Sequence, residues 1–234
     1  MQVKYHRILL KLSGEAMLGE GGRIIDEAFL RRIVATVKAC LAEGVQVAII
    51  VGAGNIWRGR QSGDIERVRG DYMGMLATAI NAIALSDAFI RAGQDARVLT
   101  AINMPEIGEY YTRDAAVAHL EAGRVVIFAA GTGRPYFSTD TAAALRAIEV
   151  GADAILMAKN VDGVYTADPK TDPTAKKIDS ISYAEMLSRE LRVIDLTAAA
   201  LCRDCEIPTL VFKLADTEDI LRAVAGETTG TVIL

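Results

Sequence analysis

Three short apolar runs in this chain are each followed by a turn that contains glycine. The turns are Lys11-Leu12-Ser13-Gly14, Gly52-Ala53-Gly54-Asn55 and Gly131-Thr132-Gly133. A strand that ends in a glycine turn and continues into a helix lets the backbone approach a phosphate closely. The free N–H groups at the helix N-terminus then bind the anion. Three such turns, with Lys11 in the first and Arg58 just after the second, predict a site for more than one phosphate group.

Apolar runs of strand length alternate with helical patterns along most of the chain. The runs are apolar on both faces, as in Val125-Val126-Ile127-Phe128-Ala129, which is typical of a parallel sheet covered by helices on each side. The pattern predicts an α/β fold, a three-layer αβα sandwich with a central, mainly parallel sheet, as a single domain over residues 1–234. Predicted strands are 7–12, 45–51, 97–101, 124–129, 153–158, 209–213 and 231–234. Predicted helices are 26–43, 71–92, 113–122, 139–150, 182–188, 195–205 and 216–225.

Local signals set several boundaries within this pattern. Asp26 is the predicted N-cap of the first helix, and Gly44, Gly93 and Gly123 follow helix ends. The Asp162-Gly163 step predicts a hairpin that leaves the sheet, followed by a long loop at 168–173.

The composition limits the partners and the compartment. The net charge is −4 and the sequence contains no basic run, so no nucleic-acid partner is expected. Apolar residues make up 51%, but no stretch is expected to span a bilayer, and residues 1–7 lack the apolar core of a signal peptide. We therefore expect a cytoplasmic protein without a membrane partner.

Cysteine spacing leaves two interpretations. Cys202 and Cys205 have C-x-x-C spacing, which occurs in zinc and redox sites. Zinc needs two further ligands, however, and both histidines, His6 and His119, are far away in the sequence. Two ordinary helix residues near a helix end are the favoured interpretation, and no metal site is predicted.

Two common nucleotide-binding motifs are missing. No G-x-x-x-x-G-K-[ST] occurs, which disfavours a P-loop kinase, and neither 52–57 nor 131–136 has the third glycine of the dinucleotide fingerprint. The phosphate-binding turns therefore belong to another class of protein.

Several segments resemble the amino acid kinase family. They are Lys11-Leu12-Ser13-Gly14-Glu15, Gly131-Thr132-Gly133 leading to Thr139-Asp140, and 160–169 with Asn160-Val161-Asp162-Gly163-Val164-Tyr165. Within that family, Asn55-Ile56-Trp57-Arg58-Gly59 and 70–78 resemble the bacterial uridylate kinases. The resemblance implies ATP-dependent phosphorylation of UMP to UDP in pyrimidine nucleotide synthesis. It also implies Mg²⁺ as Mg-ATP, a homohexamer, GTP as effector and UTP as inhibitor.

Two alternatives to that activity stay open. The chain is then either another phosphotransferase of the family or a non-catalytic nucleotide-binding protein on the same scaffold. Fold alone does not decide among them.

The resemblance assigns catalytic roles to Lys11, Asp140 and Arg58. Lys11 at a strand end stabilises the transferring phosphoryl group, although a solvated lysine at a sheet edge is the alternative. Asp140 hydrogen-bonds Lys11, or serves as a helix N-cap, or does both. Arg58 grips the acceptor phosphate with its planar guanidinium.

The resemblance also divides the binding residues between the two nucleotides. Asp71 accepts from the ribose hydroxyls of UMP, or else caps a helix, and Tyr165 packs on adenine, or else covers the sheet. The ATP residues are Lys11, Leu12, Ser13, Gly14, Gly54, Arg58, Asn160, Tyr165 and Asp168. The UMP residues are Ala53, Asp71, Thr132, Gly133, Arg134, Pro135, Tyr136, Phe137, Ser138 and Thr139.

Some positions depart from the family pattern. Ala53 stands where many relatives have glycine. Alanine keeps the backbone N–H contacts of that position, but it could not meet a requirement for a positive φ angle. Arg134 and Tyr136 stand where asparagine and phenylalanine are expected, and either Lys159 or Asn160 faces ATP.

A glycine-rich loop lies after the first turn. Its residues are Gly19, Glu20, Gly21, Gly22, Arg23 and Ile24. The resemblance links this segment to activation by GTP, and an exposed turn between strand and helix is the alternative.

Overall fold

The computed structural model describes residues 2–57, 63–159, 161–167, 171–191, 193–214, 218–227 and 230–234. Its main sheet has nine strands in the order β4-β3-β5-β2-β1-β6-β10-β11-β9. The strands are β1 Arg7–Leu12, β2 Gln46–Val51, β3 Ala96–Thr100, β4 Glu109–Tyr110, β5 Val125–Ala129, β6 Ala154–Lys159, β9 Ser180–Ile181, β10 Thr209–Lys213 and β11 Thr231–Ile233. All pairs are parallel except β10 with β11. The predicted mainly parallel α/β fold is confirmed.

Helices cover both faces of this sheet. They are α1 Glu27–Ala42, α2 Arg67–Arg91, α3 Arg113–Glu121, α4 Thr139–Val150, α5 Tyr183–Ser188, α6 Leu196–Asp204 and α7 Glu218–Val224, with short 3-10 turns at Gly14–Met17 and Glu20–Gly22. Alternate residues of β1 enter different cores: Ile8 and Leu10 pack with α1, α2 and α7, whereas Leu9 packs with α3 to α6. The predicted three-layer sandwich follows from this alternation, because successive strand residues point to opposite faces.

Most predicted boundaries agree with the structure. Asp26 caps α1 by accepting from the Ala28 N–H at 2.8 Å, and Gly44, Gly93 and Gly123 have positive φ angles at helix ends. The sequence missed the two-residue strands, because such segments carry too few residues to show a period.

The predicted hairpin at Asp162-Gly163 is wrong in detail. β7 (Val164–Tyr165) pairs antiparallel with β8 (Lys177–Ile178), so the Asp-Gly step precedes β7 rather than joining two strands. This pair does form a separate small sheet, as the predicted excursion requires. Residues 168–170 of the predicted loop lie outside the described residues.

The expectation that no segment is long enough to cross a bilayer also needs correction. By length and composition α2 passes that test, with 25 residues and a mean hydropathy of 1.5 in its most apolar window. Of that window, 56% is buried inside the protein, and α2 packs on β3 and β5. A core helix of a globular domain meets the same test, so the finding is weak support for a membrane span.

Candidate active site

The three glycine turns meet at one edge of the sheet. They follow β1, β2 and β5, which are adjacent and parallel, so their carboxyl ends lie side by side. A Cβ added at Gly14 would lie 2.5 Å from the Gly52 carbonyl oxygen and 2.5 Å from the Gly54 nitrogen. Only glycine therefore allows the first two turns to approach this closely. A cavity of about 390 Å³ opens between the turns.

An ion cluster lies at the bottom of this edge. The Lys11 Nζ is 3.0 Å from Asp140 Oδ1, and the Lys159 Nζ is 2.8 Å from Asp140 Oδ2. The three side chains are only 11–16% exposed. One buried carboxylate thus holds two ammonium groups, and the cluster carries a net positive charge next to the cavity.

The two shifted pKa values in the cluster have different causes. Burial by itself raises the pKa of Asp140, but the charges and hydrogen bonds of Lys11 and Lys159 outweigh it, so the pKa lies below its usual range. Burial lowers the pKa of Lys159, and Asp140 offsets this only in part. Asp140 is therefore an ionised partner for the lysines and is unsuited to accept a proton at neutral pH.

Asp140 is not the N-cap of α4. Ser138 caps this helix, accepting from the Asp140 N–H at 3.0 Å and from the Thr141 N–H at 3.2 Å. The helix-cap interpretation of Asp140 is wrong, because the serine two residues earlier already binds those donors. The hydrogen bond between Asp140 and Lys11 that the resemblance implied is present, and its catalytic role stays a prediction.

Asp71 also lines the cavity. It is in the second turn of α2, which begins four residues earlier than predicted, at Arg67, with Glu66 as its cap. The cap interpretation of Asp71 is therefore wrong. Its Oδ2 accepts from Arg67 Nε and from the Tyr136 backbone N–H, both at 2.8 Å. Asp71 thereby fastens α2 to the third glycine turn.

The third turn and the residues beside it include four with left-handed backbone. Ala130, Gly131, Gly133 and Tyr136 have φ angles of 62°, 57°, 73° and 72°. A Cβ at Gly133 would lie 2.7 Å from the Ala101 carbonyl oxygen, so this position needs glycine for two reasons. At Ala53, by contrast, φ is not positive, so alanine fits the second turn without strain.

The structure brings most of the predicted binding residues to one cavity. Its lining includes Lys11, Ser13, Gly14, Ala53, Gly54, Asp71, Thr132, Arg134, Phe137, Ser138 and Thr139. Other predicted residues do not line it: Leu12 is buried in the core, and Gly133 faces a neighbouring cavity. Pro135 and Tyr136 are also not part of its lining.

The remaining predicted ATP residues lie elsewhere or are not described. Tyr165 is in the small β7–β8 sheet, where its hydroxyl donates to Asp162 at 2.9 Å. Arg58, Asn160 and Asp168 lie outside the described residues. Their proposed roles stay predictions.

Sequence reasoning missed several residues of the site. Lys159 was left as one of two alternatives, although β6 is the direct neighbour of β1 and each strand has a lysine among its last two residues. The cavity lining also contains Glu15, Trp57, Arg67, Gly74, Met75 and Thr78. Apart from Arg67, these residues lie in segments that carry the family resemblance, but only the packing of α2 over the turns shows that they line the cavity.

The 19–24 loop lies away from this cavity but is connected to it. Gly21 and Gly22 are exposed and have positive φ angles. The Ile24 carbonyl accepts from Asn55 Nδ2 at 2.7 Å, Asn55 pairs with the buried Asn81, and Asn81 donates to the Gly52 carbonyl at 2.8 Å. A chain of hydrogen bonds thus joins the loop to the second glycine turn.

The cysteine pair does not form a recognisable metal site. Cys202 is buried and Cys205 is exposed, and burial raises the pKa of Cys202 to about 11. Within the part of the chain that the structure describes, no cluster of three His, Cys, Asp or Glu side chains is placed to hold a metal ion. Cys202 lies in α6 and Cys205 directly follows the last residue of that helix, and the absence of a metal site stays a prediction.

Comparison with known proteins identifies the class. Residues 6–213 match the sequence model of the amino acid kinase family, and the chain belongs to that family. Three similar structures narrow the comparison further. A UMP kinase from Bacillus anthracis has a TM-score of 0.94 and 37% identity, covering 98% of this chain and 96% of that chain. A UMP kinase from Ureaplasma parvum has a TM-score of 0.92 and 36% identity, covering 98% and 99%. A uridylate kinase from Archaeoglobus fulgidus has a TM-score of 0.72 and 31% identity, covering 97% and 99%.

Proposed function

We propose that this protein transfers the γ-phosphoryl group of ATP to UMP, giving ADP and UDP. The observation that carries the proposal is the buried Lys11–Asp140–Lys159 cluster at the meeting point of the glycine turns. The similarity to structures of UMP kinases over nearly the whole chain supports UMP as the acceptor.

The geometry suits phosphoryl transfer, which depends mainly on positioning and on stabilising negative charge. Lys11 and Lys159 supply positive charge beside the cavity, and Asp140 fixes both ammonium groups. A UMP phosphate oxygen is already deprotonated at neutral pH, so the reaction needs no general base. Asp140, with its lowered pKa, is accordingly assigned a positioning role.

We assign the two nucleotides to different parts of the site. We place UMP on the side of Asp71 and the 132–139 segment, and ATP on the side of Ser13, Gly14 and Lys159. A smaller cavity of about 110 Å³ beyond Ser13 is lined by Lys159 and Lys213, which supports a polyphosphate there. We assign Arg58 to the acceptor phosphate, and Asn160, Tyr165 and Asp168 to the ATP nucleoside.

Magnesium enters this scheme as part of the Mg-ATP substrate. Both oxygens of Asp140 already bind lysines, so this carboxylate is not a ready metal ligand. Mg²⁺ binds phosphate oxygens and keeps several waters, so it does not require a dedicated cage of protein carboxylates. The ion neutralises charge on the phosphates when the substrate is bound.

A coupled assay of ADP formation tests the acceptor. Purified protein receives ATP and Mg²⁺ with UMP, CMP, acetylglutamate or aspartate, one at a time. We expect turnover with UMP, poor turnover with CMP and none with acetylglutamate or aspartate. Turnover with a carboxylate acceptor would assign another activity of the family, and no turnover at all would favour a non-catalytic nucleotide-binding protein.

The same assay tests how the base is recognised. Uracil presents an N3–H donor and an O4 acceptor, whereas cytosine presents an acceptor and an amino donor. Backbone groups of 132–139 cannot satisfy both patterns, and each unpaired buried group costs about 1–3 kcal/mol. Two such mismatches favour UMP over CMP by up to about a thousandfold or more in kcat/KM. A ratio near unity would remove base reading from this segment.

We further propose that GTP activates and UTP inhibits, with GTP acting through the 19–24 loop. The hydrogen bonds from Ile24 through Asn55 and Asn81 to Gly52 support a connection between this loop and the site. Rates at fixed ATP and UMP, with and without GTP, test it. Activation that persists after 19–23 is replaced by a Gly/Ser linker would exclude the loop.

We also propose that the protein is a homohexamer in the cytoplasm and that it serves pyrimidine nucleotide synthesis. We propose neither a nucleic-acid partner nor a membrane partner. An exposed apolar stripe on α2 supports self-association; its members are Tyr72, Met73, Leu76, Ile80, Ile83 and Ile90, which are 39–57% exposed. Contiguous exposed apolar patches mark interaction surfaces. Sedimentation of the wild type and of Leu76→Glu tests the assembly.

A further inference from the structure

We propose that Asp195 is a positioning residue for phosphoryl transfer, acting on the ion cluster through the N-terminus of α4. This inference rests on the proposed function and deepens it. Asp195 is not among the residues that line the cavity and has no described contact with Lys11 or Asp140. Its effect on Lys11 and Asp140 must therefore pass through the residues that it binds, whereas its charge also acts on Lys159 directly.

Both oxygens of the Asp195 carboxylate face hydrogen-bond donors. Oδ1 accepts from the Ala198 N–H at 2.8 Å and so caps α6. The Thr141 hydroxyl lies 3.0 Å from each oxygen, and Ser138 Oγ donates to Oδ2. An ionised carboxylate, which only accepts, suits these donors on two different helices, whereas a side-chain amide does not.

Asp195 determines how Ser138 caps α4. The Ser138 hydroxyl donates its one hydrogen to Asp195 and uses its lone pairs for the Asp140 and Thr141 N–H groups. Every hydrogen-bonding site of this hydroxyl is thereby occupied. Because Ser138 satisfies these N–H groups, the Asp140 side chain is left to bind Lys11 and Lys159.

The same segment holds the second lysine. The Val193 carbonyl, two residues before Asp195, accepts from the Lys159 Nζ. Residues 193–195 thus bind both the helix that carries Asp140 and the ammonium group that pairs with it. The segment sets the distance between the two charged groups.

The first test compares Asp195→Asn with a matched control in the full-length protein. Asparagine still caps α6 through its side-chain oxygen, because it is as good an N-cap as aspartate. Its amide N–H₂ group, however, faces the hydroxyl donors of Ser138 and Thr141 where the carboxylate offered an acceptor. We expect kcat to fall about tenfold, with the KM for UMP within about twofold of the wild type.

The control is Asp153→Asn at the opposite end of the strands. Asp153 Oδ2 also accepts two N–H groups, those of His6 at 2.6 Å and Arg7 at 2.8 Å. We expect this variant to keep the wild-type kcat. An unchanged kcat in Asp195→Asn, or equal losses in both variants, would overturn the role of Asp195.

A second measurement does not depend on turnover. The charged groups that face Lys159 are Asp140 on α4, Lys11 on β1, Asp195 before α6 and Lys213 at the end of β10. Removing the Asp195 charge lowers the pKa of Lys159 further, which NMR of the lysine ¹³Cε resonance reports. Asp153→Asn leaves it unchanged.

The two measurements separate the possible failures. If the wild type does not phosphorylate UMP, the proposed function is wrong, and the Lys159 titration still decides the role of Asp195. A Lys159 pKa that is the same in the wild type and in Asp195→Asn would show that Asp195 does not act on the cluster.

Discussion

A group of ion pairs, one carboxylate with two cations, lies at each end of the sheet strands. At the carboxyl ends of the strands, Asp140 binds Lys11 and Lys159, and all three are at most 16% exposed. At the amino ends, Asp95 binds Arg97 and Arg124, and these side chains are 36–46% exposed. The pKa of both carboxyls is lowered, because in each case cations outweigh the effect of desolvation. The pKa direction alone therefore does not distinguish the two groups.

The difference between the groups is their surroundings. Water screens the Asp95 group, and exposed ion pairs of this kind contribute little to stability. The Asp140 group lies beside glycine turns that enclose a cavity, where charges interact strongly and a phosphate is able to replace water. Enclosure, rather than the presence of ion pairs, therefore marks the candidate active site.

Lys11→Ala provides the largest expected effect at the enclosed group. The substitution removes a charge needed in the transition state, and such a loss costs about a hundredfold or more in kcat. Isothermal calorimetry should show UMP binding near that of the wild type. Near-wild-type turnover would make Lys11 an ordinary solvated lysine.

Asp71→Asn tests the part of the site that we assign to UMP. The amide replaces one acceptor with a donor, so we expect the KM for UMP to rise about tenfold while that for ATP changes little. Equal effects on both substrates would mean that Asp71 serves only to fasten Arg67 and Tyr136.

Acid denaturation compares the carboxyl groups of Asp140 and Asp95 directly. The folded pKa of Asp140 lies below the ordinary value of 3.8, so the unfolded state binds more protons between those two pH values. The free energy of unfolding that Asp140 contributes is present above pH 3.8 and is lost as the pH falls through the folded pKa. Asp140→Asn should remove this part of the acid dependence.

Salt sharpens the same comparison. Raising NaCl to about 0.5 M screens exposed charges far more than buried ones. We expect salt to weaken the acid-dependent contribution of Asp95 and to leave that of Asp140 largely intact. Equal salt sensitivity would mean that the Asp140 cluster is as open to solvent as the Asp95 group.

Asp95→Asn provides the smallest expected effect. We expect a change in unfolding free energy within about 0.5 kcal/mol and an unchanged kcat, because the pair is exposed and far from the turns. Urea denaturation and the coupled assay measure the two quantities. A tenfold loss of kcat would show that the amino ends of the strands contribute to the site.

Much of the fold could be predicted from local patterns. Apolar runs and helical periods predicted seven of the described strands, the helices and the layer order, because side-chain period and capping act over a few neighbouring residues. The shared edge of the three glycine turns follows too, since parallel strands end on the same side.

Local patterns gave wrong predictions where one pattern is compatible with two structural roles. Asp140 and Asp71 both resemble helix caps in sequence, yet Ser138 and Glu66 hold those positions. The α2 helix resembles a membrane span by composition, yet half of its apolar window packs on the sheet.

The sequence by itself determined the layered sheet, the glycine turns and Lys11 at their edge, because each depends on residues close together in the chain. Only the tertiary structure decided that Lys159 joins Asp140 and that Asp195 binds Ser138 and Thr141. These pairs are separated by 19, 57 and 54 positions in the chain. Their contacts depend on how β6, α4 and α6 pack. A pattern over neighbouring residues does not show which residues far apart in the chain come into contact.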